Sequence, residues 1–202
     1  MAGCLTTSSA AATDLKLSRC LADAWALLPG RGQPTEQALV EIAEAMATSG
    51  LRDAGYDHVS TGELGLVRSA TTQQLQLEFP ERWVGGDLKH FSSYLHRNGF
   101  KLIQGVSPGA TSCTGEVGVC GPRPASEKYP RPEHCHAAAD ARWLAAQGTD
   151  MWAADWCQFI CENNASCYVE QYRPIWEAIQ DTGSNMTFGL CARPLKCLPS
   201  TQ

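Results

Sequence analysis

The stretch HAAADARWLAAQGTDMWAAD, residues 136–155, decides the fold class of this 202-residue chain. Its first part is rich in helix-forming residues and stops at Gly148, because glycine commonly follows the last turn of a helix. Its second part is a short apolar run that ends in Asp155, which is typical of a buried strand. A helix followed at once by a buried strand predicts one unit of a parallel α/β sheet. The acid at the strand end is either a working residue or only a turn or helix cap.

The same alternation extends along most of the chain. Helices of about a dozen residues between strands of about five are the pattern of parallel βα units. The longer polar segments between them, such as 62–86, are predicted to be loops, and these follow strands, so a functional site is expected at the carboxyl ends of the strands. The predicted helices lie at 35–50, 87–99, 136–148 and 168–183, and the predicted strands at 54–61, 100–106, 150–155 and 186–190.

Size and charge narrow the functional classes. The chain is long enough for one domain with a sizeable core and too short for two comfortable ones. Its net charge of -5 is mild and unclustered, which argues against nucleic acid as a partner. Its apolar stretches are interrupted too often for a membrane span. The sequence carries no motif that requires a cofactor, and none is expected.

The cysteines indicate an oxidising compartment. There are ten of them, and an even count crowded mainly into the second half favours disulfides. The alternative is zinc, since residues 134–136 read His-Cys-His near Cys120, but no spacing matches a standard site, so no metal is expected. Two glycosylation sequons, at Asn164 and Asn185, also suggest passage through a secretory or organelle lumen. Because the first residues lack a secretory layout, a targeting segment would lie upstream of Met1 or have been removed.

Several phrases of the sequence occur together and in order in one enzyme family. They include EIAEAMATSGLRDAGYDHV (41–59), GGDLKHFSSYLHRNGFKL (85–102) and YRPIWEAIQDTGSNMTFGLC (172–191). From about Gln33 to Cys191 the chain resembles the α-galactosidases of glycoside hydrolase family 27. The resemblance implies an α/β fold, a partial or open (β/α)8 TIM barrel of about five βα units with disulfide-stapled loops. It divides the chain into an N-terminal extension at 1–32, the barrel at 33–191 and a tail at 192–202.

The resemblance gives Asp155 a specific position. These retaining enzymes use two carboxylates, and Asp155 matches the nucleophile at the end of the fourth strand. The lysine and the aromatic residue that precede the nucleophile in the family are Ala153 and Ala154 here. Trp156, which follows Asp155 into the loop, is a candidate for lining the remaining pocket. We therefore expect Asp155 to be a vestigial nucleophile.

Other loops depart from the family as well. The paired aspartates that grip sugar hydroxyls after the second strand correspond to Gly62 and Glu63, so Glu63 remains as a candidate substrate-binding acceptor. The tyrosine and aspartate after the third strand correspond to Gly105 and Ser107. The acid/base would lie beyond the sixth strand, past Gln202. Without it, the chain lacks a contribution usually worth about 10²- to 10⁴-fold in rate.

Cys113 and Cys157 match a pair of cysteines that the family joins across the loops after the third and fourth strands. The resemblance therefore implies a Cys113–Cys157 disulfide, typically worth a few kcal/mol, about 2 to 4, by the loop-entropy account. The scaffold is thus expected to be kept while the chemistry is lost.

These observations favour a catalytically inactive α-galactosidase-like barrel that serves as a structural or interaction subunit with protein partners. The alternatives are the N-terminal part of an active retaining α-glycosidase that hydrolyses terminal α-galactosides, and a pseudoenzyme that binds such a sugar without cleaving it. Five strands do not close an eight-stranded barrel. Either the residues are part of a longer protein, or a partner supplies strands, or the N-terminal segment covers an open sheet.

Overall fold

The computed structural model of the chain describes residues 5–7, 22–23, 35–63, 65–112, 115–120, 135–155 and 165–190. Four helices alternate with the main strands, as the sequence pattern predicts, and the described part includes no helix long and apolar enough to cross a membrane. The helices are α1 (Glu36–Thr48), α2 (Lys89–Arg97), α3 (Ala137–Ala146) and α4 (Ala165–Asp181). The strands are β1 (Leu5–Thr7), β2 (Ala22–Asp23), β3 (His58–Ser60), β4 (Leu66–Arg68), β5 (Leu75–Leu77), β6 (Lys101–Gly105), β7 (Met151–Ala154) and β8 (Thr187–Leu190).

Six strands form one sheet in the order β1-β8-β7-β6-β3-β2. The five strands from β2 to β8 in this sheet run parallel, and β1 pairs antiparallel with β8. The partial (β/α)8 architecture is therefore confirmed, and within the described residues the sheet does not close into a barrel. Two short strands from the segment 1–32 join this sheet. The domain boundaries at 32 and 191 stay a prediction, and the tail at 192–202 lies outside the described residues.

The core lies between the sheet and the helices. It includes Val59, Leu102 and Trp152 from the strands and Phe91 and Leu144 from the helices, all fully buried. The indole Nε1 of Trp152 donates to the carbonyl of Val106 at 3.0 Å, so the one polar group of this large side chain is satisfied. Trp152 is therefore a core residue, whereas Trp176, which lies on α4, is 42% exposed.

Residues 62–86 contain an antiparallel hairpin, so the prediction of a long loop there is wrong in part. The hairpin pairs β4 with β5, and Leu66, Leu75 and Leu77 are buried under it. Alternating apolar residues, as in Leu75-Gln76-Leu77, are the sequence signal of such short strands. Two 3-10 turns, Pro80–Arg82 and Val84–Gly86, then lead to α2.

One disulfide closes the segment between β6 and α3. Cys120 and Cys135 are bonded, 15 residues apart in sequence, and the two residues also form an isolated β-bridge. Both sulfurs are therefore consumed, and the zinc alternative would have needed them as thiolates. Cys113 and Cys157 lie outside the described residues, so their pairing stays a prediction.

Candidate functional site

The carboxyl-terminal edge of the parallel sheet carries a row of very small residues. Gly105, Ala153 and Gly189 are register partners on β6, β7 and β8. Gly62 extends the row, because the N–H of Gly105 donates to its carbonyl at 2.8 Å. Ser107 and Asp155 follow two residues after Gly105 and Ala153 in their own chain segments, so polar side chains come directly after the small row.

Glu63 lies over the end of β6. A Cβ atom at Gly105 would be 2.8 Å from the Cγ of Glu63 and 2.9 Å from the carbonyl group of Gly62, closer than real Cβ contacts come. Gly62 has a φ of 67°, a left-handed conformation that favours glycine and turns the chain after β3 toward β6. The space next to Gly105, where the resemblance expects a tyrosine, is therefore filled by the Glu63 side chain.

The carboxylate of Glu63 is held in place by Ser107, whose hydroxyl donates to Glu63 Oε1. Ser107 is fully buried, and its own backbone is fixed because the N–H of Val119 donates to its carbonyl at 2.8 Å. Glu63 and Ser107, the two residues that the resemblance matches to aspartates of the family, thus contact each other directly. A carboxylate and a hydroxyl meet at this edge, although they follow different strands.

Asp155 lies at the carboxyl end of β7 and is half-buried. Its predicted place at a strand end is therefore confirmed, while its catalytic role stays a prediction. One strand, β6, separates β7 from β3, and the turn after β3 brings Glu63 over the end of β6, the strand next to β7. Ser107 follows this same strand, and its hydroxyl donates to Glu63.

An ion pair fixes the loop that borders this edge. Arg68 on β4 donates to both oxygens of Asp140 on α3, at 2.8 and 2.7 Å, and to the carbonyl of Gly118 at 2.7 Å. Burial raises the pKa of Asp140 to about 6, and Arg68 opposes that rise. Burial, and next Arg68, lowers the pKa of His136. The pair links residues 72 apart, which is why no local sequence pattern could have indicated it.

Of the remaining predicted site residues, the structure describes Asn185. Asn185 is exposed between α4 and β8, and its glycosylation stays a prediction. Trp156 and Asn164 lie outside the described residues, as do Cys113 and Cys157. The described residues hold no group of three or more His, Cys, Asp or Glu side chains that could bind a metal ion.

Solved structures with the same fold include α-galactosidases. The structure of the α-galactosidase from Saccharomyces cerevisiae with raffinose has a TM-score of 0.67 at 20% identity, covering 84% of this chain and 34% of that one. The α-galactosidase I of Mortierella vinacea has a TM-score of 0.60 at 22% identity, covering 75% of this chain and 35% of that one. These likenesses show the fold, a TIM barrel of which this chain holds a part.

Sequence comparison shows the family. Alpha-galactosidase 3 of Arabidopsis thaliana is 30% identical over 158 residues, which is 77% of this chain and 31% of the relative. Alpha-galactosidase A of Homo sapiens is 24% identical over 165 residues, 82% of this chain and 34% of the relative. The chain spans about a third of the length of the curated relatives it matches. The family model for alpha galactosidase A matches residues 31–202, and the chain therefore belongs to this α-galactosidase family.

Proposed function

We propose that the carboxyl-terminal edge of the sheet binds a terminal α-galactoside-type sugar and does not hydrolyse it. The observation that supports this is the Glu63 carboxylate, fixed over Gly105 by the Ser107 hydroxyl at the position where the family grips sugar hydroxyls. A carboxylate accepts several hydrogen bonds, and one that is already oriented loses little entropy when it binds neighbouring hydroxyls. The family indicates the class of sugar, and the Glu63 carboxylate of this chain is the oriented hydrogen-bond acceptor.

The residues at the same edge are the reason why we expect no hydrolysis of the sugar. Gly105 and Ala153 have no groups that could strengthen their contacts in a transition state, and only such contacts raise the rate of the chemical step. The row of Gly62, Gly105, Ala153 and Gly189 offers only backbone groups and one methyl group, which bind ground state and transition state alike. Asp155 would then be a retained acceptor rather than a nucleophile.

Calorimetric titration with methyl α-D-galactopyranoside tests the binding, with methyl α-D-glucopyranoside as the comparison sugar. Glu63→Gln is expected to weaken binding of the galactoside by about tenfold or more, since hydrogen bonds to a charged group contribute about 1.5 to 3 kcal/mol. Glu81→Gln, at an exposed position in the turn before α2, is the matched control and should leave the affinity unchanged. Equal binding of both sugars, or equal affinity in all three proteins, would contradict the proposal.

Hydrolysis of an aryl α-galactoside separates this proposal from the active alternative. We expect the chain and its Asp155→Asn variant to release the same background amount of the aryl alcohol. Release that disappears in Asp155→Asn would instead support an α-glycosidase with Asp155 as nucleophile.

A second candidate function is that of an interaction subunit in an oxidising compartment, and one observation favours it. A groove of about 470 Å³ lies between α4 and β8, lined mainly by apolar side chains that include Trp176 and Phe188. Exposed apolar patches of this kind commonly mark protein contacts. Hydrogen exchange of the chain in its native assembly should show protection over residues 169–177 relative to the isolated chain, and unchanged exchange there would argue against this role.

A further inference from the structure

Gln104 is a buried polar side chain on an otherwise apolar face of the sheet. It lies on β6, and its register partner on β7 is Trp152, which belongs to the core. Gln104 is 1% exposed and so is Thr61, which follows β3 on the neighbouring strand. Burying an amide or a hydroxyl is unfavourable unless each finds a hydrogen-bond partner. Both side chains therefore need hydrogen-bond partners inside the protein.

The amide of Gln104 holds the turn after β3 by hydrogen bonds. Its Oε1 accepts from the hydroxyl of Thr61 at 2.6 Å, and its Nε2 donates to the carbonyls of Gly62 at 2.9 Å and Gly105 at 3.1 Å. The Gly62 carbonyl also accepts from the N–H of Gly105 at 2.8 Å. Two donors, one from a side chain and one from the backbone, thus hold a single carbonyl at the end of β6.

Glu63 directly follows Gly62 in this turn. Because the Gly62 carbonyl is held against β6, the next residue lies over Gly105, with its Cγ 2.8 Å from where a Gly105 Cβ would be. From there the Glu63 carboxylate accepts the hydroxyl of Ser107. The chain of contacts runs from Thr61 and Gln104, through the Gly62 carbonyl, to the carboxylate at the proposed sugar site.

We propose that Gln104, together with Thr61, is a positioning residue that sets the orientation of Glu63 for binding of an α-galactoside. This inference rests on the proposed function. Gln104 itself does not contact the sugar, because it is buried on the helix side of the sheet. Its effect on affinity passes through Glu63, and that dependence distinguishes positioning from a general contribution to folding.

The first test uses one single and one double substitution. Gln104→Leu removes the amide and is expected to lower both the stability and the affinity for methyl α-D-galactopyranoside, the latter by about five- to tenfold, the loss of about one oriented hydrogen bond. Thr61→Val with Gln104→Leu also removes the Thr61 hydroxyl, which the single variant leaves with its longer contact to the carbonyl of Ile103, at 3.2 Å. Removing both partners is less costly than leaving one of them poorly paired, so the double variant should regain part of its melting temperature without regaining its affinity. Recovery of both together would overturn the proposal, because a merely structural role predicts that.

The second test is a double-mutant cycle with Glu63→Gln. If Gln104 acts through Glu63, then Gln104→Leu should change the affinity by less than about twofold once Glu63 has already been replaced. An equal loss in both backgrounds would overturn the positioning role while leaving sugar binding intact. A wild-type protein that binds the galactoside no better than Glu63→Gln does would instead overturn the proposed function, and the positioning role with it.

Discussion

The two flanks of the sheet differ in how their side chains are covered. On the hairpin flank, formed by β4, β5 and α3, Arg68 is 10% exposed and Asp140 is fully buried, and each oxygen of the acid accepts from the guanidinium. On the α4 flank, beside β8, Val169 is 50% exposed and Trp176 is 42% exposed. One flank completes its contacts within the chain, whereas the other presents apolar side chains to solvent.

This difference separates what stabilises the chain from what the chain offers to other molecules. Groups on the hairpin flank are buried together, so the loss of one leaves its partner desolvated and alone. The exposed side chains of the α4 flank, Val169 and Trp176, still touch water, so their loss changes little apolar burial. Substitutions of the buried groups on the hairpin flank should therefore have large effects, and substitutions of these exposed side chains should have small ones.

The largest effect is expected for Asp140→Ala. It leaves the buried guanidinium of Arg68 without its carboxylate, and breaking a buried pair in this way costs about 3 to 5 kcal/mol. Urea unfolding followed by tryptophan fluorescence measures the loss. The control is Asp53→Ala, which removes the exposed partner of Arg52 and should cost about 1 kcal/mol or less. Similar losses in the two variants would contradict the comparison.

The second largest loss of stability is expected when the disulfide that closes the segment before α3 is removed. Replacing both Cys120 and Cys135 by serine should lower the free energy of unfolding by about 3 kcal/mol, the value for a closed loop of about 15 residues. Peptide mapping without reduction checks the linkage first. A Cys120 bonded to any other cysteine would contradict the structure of this flank before stability is measured.

Local patterns predicted the main elements of the fold but not the hairpin flank. Helices α1 to α4 begin and end within a few residues of their predicted bounds, because helical periodicity and glycine stop signals are local. The hairpin consists of three-residue strands, and it depends on distant contacts such as that of Arg68 with Asp140. The exposure of Trp176 was also beyond local patterns, since a helix sequence does not show which neighbour covers each face.

The candidate site was predictable in position and not in arrangement. Asp155 lies at its predicted strand end because an apolar run followed by an acid is a local pattern. The contact of Glu63 with Ser107 depends on the path of the turn after β3, and that path is fixed by the amide of Gln104 on another strand. A comparison of aligned positions therefore shows lost side chains, while the structure shows that two of the replacements meet.

A smaller effect on the hairpin flank is a dependence of stability on pH. Burial raises the pKa of Asp140 from an ordinary value of 3.8 to about 6, so between those values the folded state binds more protons than the unfolded state. Stability from this group is therefore fully present below about pH 4 and declines as pH rises through about 6. The lowered pKa of His136 acts in the opposite direction, because the unfolded state takes up its proton more readily.

Thermal unfolding between pH 4 and 7 isolates the contribution of Asp140. The difference in Tm between the wild-type protein and Asp140→Asn should change by roughly a few degrees across this range, with the wild type losing its relative advantage as pH rises. A difference that is constant with pH would show that Asp140 titrates alike in the folded and unfolded states. His136→Gln, compared in the same way, should show the opposite slope.

The smallest effect is expected on the α4 flank. Trp176→Ser removes a large aromatic side chain, yet we expect a loss of only about 0.5 kcal/mol, the usual range for exposed positions. The matched control is the preceding residue on the same helix, Ile175, which is 1% exposed, and Ile175→Ala should cost about 2 to 5 kcal/mol. A loss for Trp176→Ser as large as that for Ile175→Ala would mean that the groove is covered in solution, and the contrast between the two flanks would then disappear.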